Sequence, residues 1–411
     1  MKKWSIESAV VLSPNDALKN KSIHIGLDGY IEDIQTAPLK NGINLSIPDG
    51  VLCPGFINSH DHLLGTYLPK VGDGRPYTNW LPWDNDLKSA PAYEERQQIL
   101  NRDLYLLGGY RNLVSGCTSV QDHIPHFVQD PFLDIMPTKV ISDFALAHSI
   151  ASFALNWGSG VEEEYKLALD NDIPFITHIA EGFDEETVRD LETLDKKHGL
   201  GDHSVLVHGI AFSHKDIDKI KEKNASVVWC ADSNMYMYNR TADIKYMIDK
   251  KVNVCIGTDS PMSGGLNLLY EMKFDRDFYK DFYKDSLPSK MIVKMITENP
   301  AKAFRLFDNG TISKNKLADF TVVRHKESDP YDSVVSAELE DIKLVVIEGI
   351  PVYGDSEYSG IFDSLQVKYQ RVNIAGADKI IIGDLKGLLK RINKAIGYNK
   401  KLDFLPVDLD I

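Results

Sequence analysis

The middle of this chain alternates short runs of consecutive apolar residues with segments that have the periodicity of amphipathic helices. The apolar runs lie at residues 51–58, 118–122, 139–147, 174–179, 204–208, 225–230 and 252–257. Strands that are buried on both faces of a parallel sheet are apolar at successive positions, whereas strands with one wet face alternate. Strand–helix units repeated over about 260 residues are typical of a (β/α)8 barrel. The predicted fold class is therefore α/β, with a (β/α)8 TIM barrel over residues 51–317.

Seven of the eight strands of such a barrel can be read directly from these runs. We expect the eighth between Leu63 and Tyr110, in a long segment rich in proline, glycine and tryptophan. With that strand in second place, the last four runs become strands five to eight of the barrel.

The two ends of the chain predict short β-strands instead. Strand patterns occur at residues 4–12, 22–26, 30–35 and 43–47, and again at 319–324, 343–348 and 351–353. Neither end is long enough to bury a core alone, so residues 1–50 and 318–360 are predicted to pair into one small β-sandwich.

Residues 361–411 are predicted to form a C-terminal extension with one helix. Asp384 is placed to cap this helix and Gly397 to end it. Leu385, Leu388, Leu389, Ile392 and Ile396 would share one face of the helix. We expect that face to pack on the body of the protein or on a neighbouring subunit. The second alternative would make the protein a homodimer.

The formal net charge of −14 argues against a nucleic-acid partner, because proteins that bind polyanions present a basic face. The four cysteines lack paired spacing and predict buried reduced thiols. The first residues do not resemble a signal peptide, and no window holds 18 uninterrupted apolar residues. We therefore expect a cytoplasmic protein that does not contact membranes and acts on a small molecule.

Metal-binding residue types lie at the carboxyl ends of the predicted strands, where barrel enzymes carry their chemistry. His60 and His62 end the first strand, and side chains at i and i+2 point to the same side of a strand. Imidazole and carboxylate groups together suit Zn²⁺ or Fe²⁺. Further polar residues follow later strands: His178 and Glu181 after the fifth, His208 after the sixth and Asp259 after the eighth.

Several longer motifs surround these residues. They are Pro54-Gly55-Phe56-Ile57-Asn58-Ser59-His60-Asp61-His62, the step from His178 to Glu181, His208, Gly257-Thr258-Asp259-Ser260, and Thr297-Glu298-Asn299-Pro300-Ala301-Lys302-Ala303. In these motifs the chain resembles the amidohydrolase superfamily over roughly residues 4 to 355.

Within that superfamily the chain resembles the one-metal branch that includes cytosine, guanine and adenosylhomocysteine-type deaminases and triazine chlorohydrolases. The His-x-x-Glu step after strand five marks this branch. Two-metal members carry a carboxylated lysine at the end of strand four, whereas Lys139 stands at the start of that run here. One metal ion is therefore expected.

The resemblance also implies roles for the residues at the strand ends. Asp259 would take a proton from a water that the metal activates to hydroxide. Glu181 would carry a proton to a ring nitrogen and then to the leaving amine. His208 would orient the hydroxide or polarise the substrate. One divalent ion, with zinc expected and iron as the alternative, would be held by His60, His62, His178 and Asp259.

Six other residues near the same strand ends are candidate substrate contacts, although a rim or packing role is the alternative for each. Met and Tyr side chains in the loop after strand seven would pack against a planar ring. The candidates are His123, His148, Trp80, Trp83, Asn234 and Tyr236.

The leading functional hypothesis is hydrolytic deamination of an N-heterocycle or related amidine by a metal-bound hydroxide. The same chemistry would also serve hydrolysis of another C–N bond, as in a cyclic amide or carbamate, or dechlorination. A non-catalytic scaffold that has lost its metal is the third alternative. That alternative is disfavoured because none of the six motif positions is missing.

Overall fold

A computed structural model describes residues 2–13 and 16–408 of the chain. The strands in this part are β1 (Trp4–Leu12), β2 (Ala17–Ile25), β3 (Ile31–Gln35), β4 (Ile43–Pro54), β5 (Phe56–Asp61), β6 (Cys117–Asp122), β7 (Lys139–Val140), β8 (Ala145–Ser149), β9 (Phe175–Ile179), β10 (Ser204–His208), β11 (Ser226–Trp229), β12 (Asn253–Ile256), β13 (Phe320–Arg324), β14 (Ile342–Ile347), β15 (Ile350–Asp355), β16 (Gln370–Ile374), β17 (Ala377–Ile381) and β18 (Val407–Asp408).

Helices lie between most of these strands, so the fold is mixed α/β as predicted. They are α1 (Trp80–Lys88), α2 (Pro91–Arg96), α3 (Asn101–Val114), α4 (His126–Gln129), α5 (Val161–Asn171), α6 (Asp190–Lys196), α7 (His214–Glu222), α8 (Ala231–Tyr238), α9 (Ile244–Asp249), α10 (Leu268–Tyr283), α11 (Ser289–Met295), α12 (Glu298–Ala303), α13 (Pro330–Val335), α14 (Ser359–Leu365) and α15 (Leu385–Ile396).

Both chain ends pair in one ten-stranded sheet with the order β18-β16-β17-β15-β14-β13-β4-β1-β2-β3. Strand β1 runs parallel to β4, with Trp4 opposite Ile43, and β13 runs antiparallel to β4, with Val322 opposite Leu52. Because β4 lies between β1 and β13, it joins the N-terminal strands to the later ones. The pairing of the two ends was expected, but this strand order does not show the predicted two-layered sandwich.

The middle of the chain contributes eight parallel strands in two sheets. Five form a sheet in the order β12-β11-β10-β9-β8, and three form a sheet in the order β5-β6-β7. A parallel bridge between Asp61 and Asp259 connects the end of β5 to the residues that follow β12. The backbone N–H of Thr258 also donates to the carbonyl of His60 at 3.0 Å. The carboxyl ends of β5 and β12 therefore lie side by side.

The strand expected between Leu63 and Tyr110 is absent, and that prediction was wrong. The segment forms a 3-10 turn at Leu63–Gly65, then α1, α2 and the first part of α3. The side chain of Asn79 caps α1, and Pro91 begins α2. The eighth strand comes instead from the apolar run at 139–147. The polar pair Ser142 and Asp143 interrupts that run, so β7 pairs with β6 while β8 pairs with β9.

The helix expected after Asp384 is present and packs on the body of the protein. The Asp384 side chain accepts a hydrogen bond from the Gly387 N–H, and Gly397 ends α15 with a left-handed φ of 84°. The apolar face of α15, carrying Leu388, is buried in the main core. Arg391 on its other side forms an ion pair with Asp103 of α3 at 2.9 Å.

The four cysteines are buried and unpaired, as expected from their spacing. Burial raises the pKa of the Cys53 and Cys255 thiols, so both stay protonated and inert. Over the described residues, the structure contains no helix that is both long enough and apolar enough to cross a bilayer.

Candidate metal centre and active site

The four predicted metal ligands lie at the carboxyl ends of the parallel strands. His60 lies at the end of β5, His62 directly follows it, and His178 lies near the end of β9. Asp259 follows β12 and has a left-handed backbone with φ of 60°, a conformation that residues with a Cβ atom rarely adopt. His208 at the end of β10 is also left-handed, with φ of 75°. Backbone strain of this kind concentrates at functional sites.

Three separations between predicted ligand atoms are close to those of atoms that share one ion. The Nε2 atoms of His60 and His178 lie 3.2 Å apart. Oδ1 of Asp259 lies 3.5 Å from Nε2 of His60 and 3.3 Å from Nε2 of His62. Four atoms bound tetrahedrally at about 2.1 Å from zinc are about 3.4 Å from each other. Over the described residues, the potential ligands fall into two groups that share His60: His60, His62 and Asp259 in one, and His60, His178 and His208 in the other, and each group could hold one ion.

The protonation of the histidines also suits metal binding. Nδ1 of His178 lies 2.6 Å from the backbone carbonyl of His148, so it carries the proton and leaves a lone pair on Nε2. Burial lowers the pKa of His60 to about 4 and moves the pKa of His178 well below its usual value. Both rings are therefore neutral, which is the form that binds metal ions.

Two hydroxyl groups orient the carboxylate of Asp259. Oδ2 accepts hydrogen bonds from Oγ of Ser233 at 2.5 Å and from Oγ of Ser263 at 2.7 Å. Oδ1 is thereby left to face the histidines. Burial opposes ionisation of Asp259, but the contact with His60 and the neighbouring imidazoles outweigh it and hold the pKa of the carboxyl group well below its usual value. Neither serine stands out in the sequence as a residue of the site.

Glu181 and His208 lie together at the edge of this centre. Nε2 of His208 is 3.6 Å from Oε1 of Glu181. Burial raises the pKa of Glu181 above its ordinary value, which favours a carboxyl group that can hold a proton. His208 also lies close enough to His60 and His178 for the three rings to bind one ion. The geometry of His208 alone thus allows a ligand or a non-ligand role.

The segment after β11 was predicted as a loop and is the helix α8. Three of its side chains each bind one predicted catalytic residue. Nδ1 of His208 donates to Oδ1 of Asn234 at 2.9 Å. The complete set of pairs is Ser233 with Asp259, Asn234 with His208, and Tyr238 with Glu181. Asn234, a candidate substrate contact, is fully buried behind His208.

Tyr236 and Trp83, two further candidate substrate contacts, lie away from Glu181. The ring of Tyr236 packs under the ammonium group of Lys70, which is 4.9 Å from the ring centroid. The indole N–H of Trp83 donates to the carbonyl of Val71 at 3.2 Å. Neither side chain lines the small cavity beside Glu181.

Trp80 does line that cavity, together with His178, Glu181, Ser149 and Phe153. Nε1 of Trp80 and Oγ of Ser149 are buried and have no hydrogen-bond partner among the described residues. Buried donors without a partner are costly, so these two are available to a ligand. Ser149 carried no signal in the sequence beyond its place after His148.

The remaining two candidates are histidines that surround His178. The ring of His148 packs edge-on against Trp80, with centroids 4.7 Å apart, and burial lowers its pKa to about 3. The ring centroid of His123 lies 4.4 Å from that of His178. Nε2 of His123 is 3.1 Å from the carbonyl of Ala147. Both rings therefore form part of the wall around the metal centre.

A network below the centre holds the backbone between the first two ligands. Arg111 of α3 is completely buried, and its NH1 donates to Oδ2 of Asp61 at 2.7 Å. Asp61 also accepts from Nδ2 of Asn112 at 2.8 Å. Since Asp61 lies between His60 and His62 in sequence, this network fixes the strand end that presents both imidazoles. Nothing in the sequence around Arg111 indicates this role.

The chain is similar to known proteins. The model of the amidohydrolase family matches residues 159–352. The predicted resemblance to amidohydrolases is confirmed. The chain is 26% identical over 401 residues to the 5'-deoxyadenosine deaminase of Methanothermobacter thermautotrophicus, covering 82% of this chain and 91% of that protein. It is 24% identical over 400 residues to the 5-methylthioadenosine/S-adenosylhomocysteine deaminase of Pyrococcus furiosus, covering 80% and 90%.

Solved amidohydrolase-like structures share the fold of this chain. A zinc-bound adenosine deaminase from Xanthomonas campestris superposes with a TM-score of 0.71 at 20% identity, covering 88% of this chain and 97% of that one. A zinc complex of atrazine chlorohydrolase from Arthrobacter aurescens gives 0.75 at 16% identity, covering 95% and 99%. At these identities the likeness concerns the fold alone.

Proposed function

We propose that this protein is a metal-dependent hydrolase that deaminates an N-heterocycle, and that its substrate is an adenosine derivative. The observation that carries the proposal is the cluster of metal-binding groups around His60. Its Nε2 lies 3.2 Å from Nε2 of His178 and 3.5 Å from Oδ1 of Asp259, which is 3.3 Å from Nε2 of His62. The names of the relatives, which are deaminases of 5'-deoxyadenosine and of 5-methylthioadenosine, support the choice of adenosine derivatives.

We propose in addition that the two parallel sheets are parts of one (β/α)8 barrel. Eight parallel strands, the bridge between Asp61 and Asp259, and the likeness to zinc-bound amidohydrolase-like structures support this arrangement. The proposed domains are the barrel at 51–317, a terminal β-domain from 1–50 and 318–360, and the C-terminal extension at 361–411. The second parallel bridge needed to close the barrel would lie between β7 and β8.

The proposed ligands are His60, His62, His178 and Asp259, with zinc as the ion. A divalent ion in this position lowers the pKa of water toward neutrality and so supplies a nucleophile at physiological pH. His208 is assigned a non-ligand role because the four proposed protein ligands and the attacking water would already give the ion five ligands. Its Nε2 faces Glu181, and Asn234 fixes the orientation of its ring.

Proton transfer is assigned to the two carboxyl groups. Asp259, ionised by its low pKa, accepts a proton from the attacking water. Glu181, whose pKa is raised by burial, donates its proton to a ring nitrogen of the substrate and then carries a proton to the departing amine. One water adds, the C–N bond breaks, and the two protons of the water end on the ring nitrogen and on ammonia. Both carboxyl groups return to their starting states.

The cavity beside Glu181 has a volume of about 10 Å³, so its walls would have to move apart to admit a heterocycle. Trp80 and Phe153 line it with aromatic surface on which a ring could pack, and His148 packs against Trp80. Nε1 of Trp80 and Oγ of Ser149 would donate to nitrogen or oxygen acceptors of the substrate. We therefore propose Trp80, His148 and Ser149 as substrate contacts.

Ammonia release by the zinc-loaded protein tests this function directly. The substrate panel is 5'-deoxyadenosine, 5-methylthioadenosine, adenosine, guanine and cytosine, with atrazine added for chloride release. We expect ammonia from at least one adenosine derivative and none from the Asp259→Ala variant. Chloride release without ammonia would favour dechlorination instead. No turnover of any compound at full zinc occupancy would contradict the proposal.

A further inference from the structure

Tyr238 makes the one hydrogen bond that the described residues offer to Glu181. The Tyr238 hydroxyl donates to Oε1 of Glu181 at 2.7 Å, and the Tyr238 side chain is completely buried. Burial and the neighbouring carboxylate raise the pKa of Tyr238 well above its usual value, so it remains a neutral donor. Oε1 also faces Nε2 of His208 at 3.6 Å. Oε2 is left without a hydrogen bond from the described part of the protein.

The helix α8 fixes this contact relative to His208. Asn234 and Tyr238 are four residues apart, so they lie on the same face of the helix, one turn apart. Asn234 holds the imidazole of His208 while Tyr238 holds the carboxyl group of Glu181. A single rigid element thus sets the separation between the two groups that flank the reacting atoms.

We propose that Tyr238 is a positioning residue that sets the direction of proton transfer by Glu181. Its hydroxyl occupies Oε1, which directs the proton to Oε2 and so toward the substrate cavity. This inference rests on the deaminase function proposed above. It goes beyond that function because it explains why one oxygen of Glu181, and not the other, exchanges protons with the substrate.

Replacing Tyr238 with phenylalanine removes the hydroxyl and keeps the ring that fills the space. Without its donor, the Glu181 carboxyl group can rotate, and the proton is no longer confined to Oε2. A hydrogen bond to a carboxylate in a buried site is worth enough to predict a fall in kcat of about 10- to 100-fold. KM should change by no more than about twofold, because the substrate contacts remain.

The test is a double-mutant cycle with Tyr238→Phe, Glu181→Gln and the combination of both. If Tyr238 acts through Glu181, its substitution should have almost no further effect on kcat in the Glu181→Gln background. Zinc content and melting temperature are measured for every variant. Tyr246→Phe is the matched control, since that hydroxyl also faces a carboxylate, Asp218, but on the exposed surface. The control should keep wild-type kcat.

Equal multiplicative losses in both backgrounds would overturn the inference, as would a loss confined to KM or accompanied by loss of zinc. If Tyr238→Phe alone does not fold, comparing kcat of the double variant with kcat of Glu181→Gln still tests the inference. Both of these variants lack the Glu181 carboxyl group, so neither contains a buried carboxylate that has lost its hydrogen-bond donor. Failure of the deaminase function is distinguishable. It would show as an inactive wild-type protein or a fully active Glu181→Gln variant, whatever the cycle gives.

Discussion

Arg111 offers the sharpest test of how the fold holds the metal ligands in place. Its guanidinium group is completely buried and binds four oxygen atoms. NH1 donates to Oδ2 of Asp61 at 2.7 Å, and Nε donates to the carbonyl of Leu266 at 2.6 Å. NH2 donates to Oγ1 of Thr258 and to the carbonyl of Gly265, each at 3.0 Å. Arg111 therefore connects Asp61 of β5 to Thr258, which directly precedes Asp259, and to the backbone of the segment that follows Asp259.

The Arg111→Met variant removes one partner of this buried ion pair and keeps most of the side-chain volume. Breaking a buried pair from one side costs about 3–5 kcal/mol, because the remaining charge is left without compensation. Asp61 keeps the hydrogen bonds from Asn58 and Asn112, at 3.2 and 2.8 Å, which places the expected loss near the lower end. We expect the free energy of unfolding to fall by about 3 kcal/mol.

The assay is urea unfolding of the metal-free protein followed by circular dichroism, together with zinc content after loading. Lys88→Met is the control, because Lys88 pairs with Asp84 at the surface and should cost about 0.5 kcal/mol or less. The double variant Arg111→Met with Asp61→Asn should recover part of the loss, since no buried charge remains. A variant that unfolds like the wild type and retains full zinc would refute the structural role given to Arg111.

Three further outcomes follow from the site and the core. Glu181→Gln should keep zinc and lose most ammonia release, about 100-fold or more, and a full rate would show that Glu181 transfers no proton. His62→Ala should lower both zinc content and turnover, whereas unchanged zinc after dialysis would remove it from the ligand set. Leu388→Ala in α15 should cost about 2–5 kcal/mol of unfolding free energy, because that side chain is fully buried; a change below about 1 kcal/mol would mean that α15 is not integral to the core.

The parallel strands and their terminal polar residues were predictable because each depends on local sequence. A run of apolar residues that ends in histidine or aspartate identifies both a buried strand and the edge where its side chains emerge. His60, His178, His208 and Asp259 could thus be assigned to one edge of the fold from sequence alone. The resemblance to amidohydrolases then suggested which of them would bind metal.

The path of the chain between residues 63 and 149 could not be read in the same way. In the sequence β7 and β8 resemble one strand, because Ser142 and Asp143 are the only polar residues between them. One strand then remains to be placed, and the segment where it was expected is helical. Strands as short as the two residues of β7 are defined by their partner, not by their own composition.

The residues that orient the catalytic groups also could not be predicted from the sequence. Tyr236 and Tyr238 are equivalent candidates if residues 232–240 form a loop. On a helix, Tyr238 lies one turn after Asn234, whereas Tyr236 points to another side and reaches Lys70. The choice between them depends on the start of α8 at Ala231. The role of Arg111 also could not be predicted from the sequence, because its four acceptors come from segments 50 or more residues away in the chain.

Anomalous diffraction at the zinc edge from crystals of the zinc-loaded protein tests the central claim most directly. The account predicts one strong peak per chain, about 2.0–2.2 Å from Nε2 of His60, His62 and His178 and from Oδ1 of Asp259. Absence of a peak at this position after loading, or an ion bound by a different set of residues, would contradict the account.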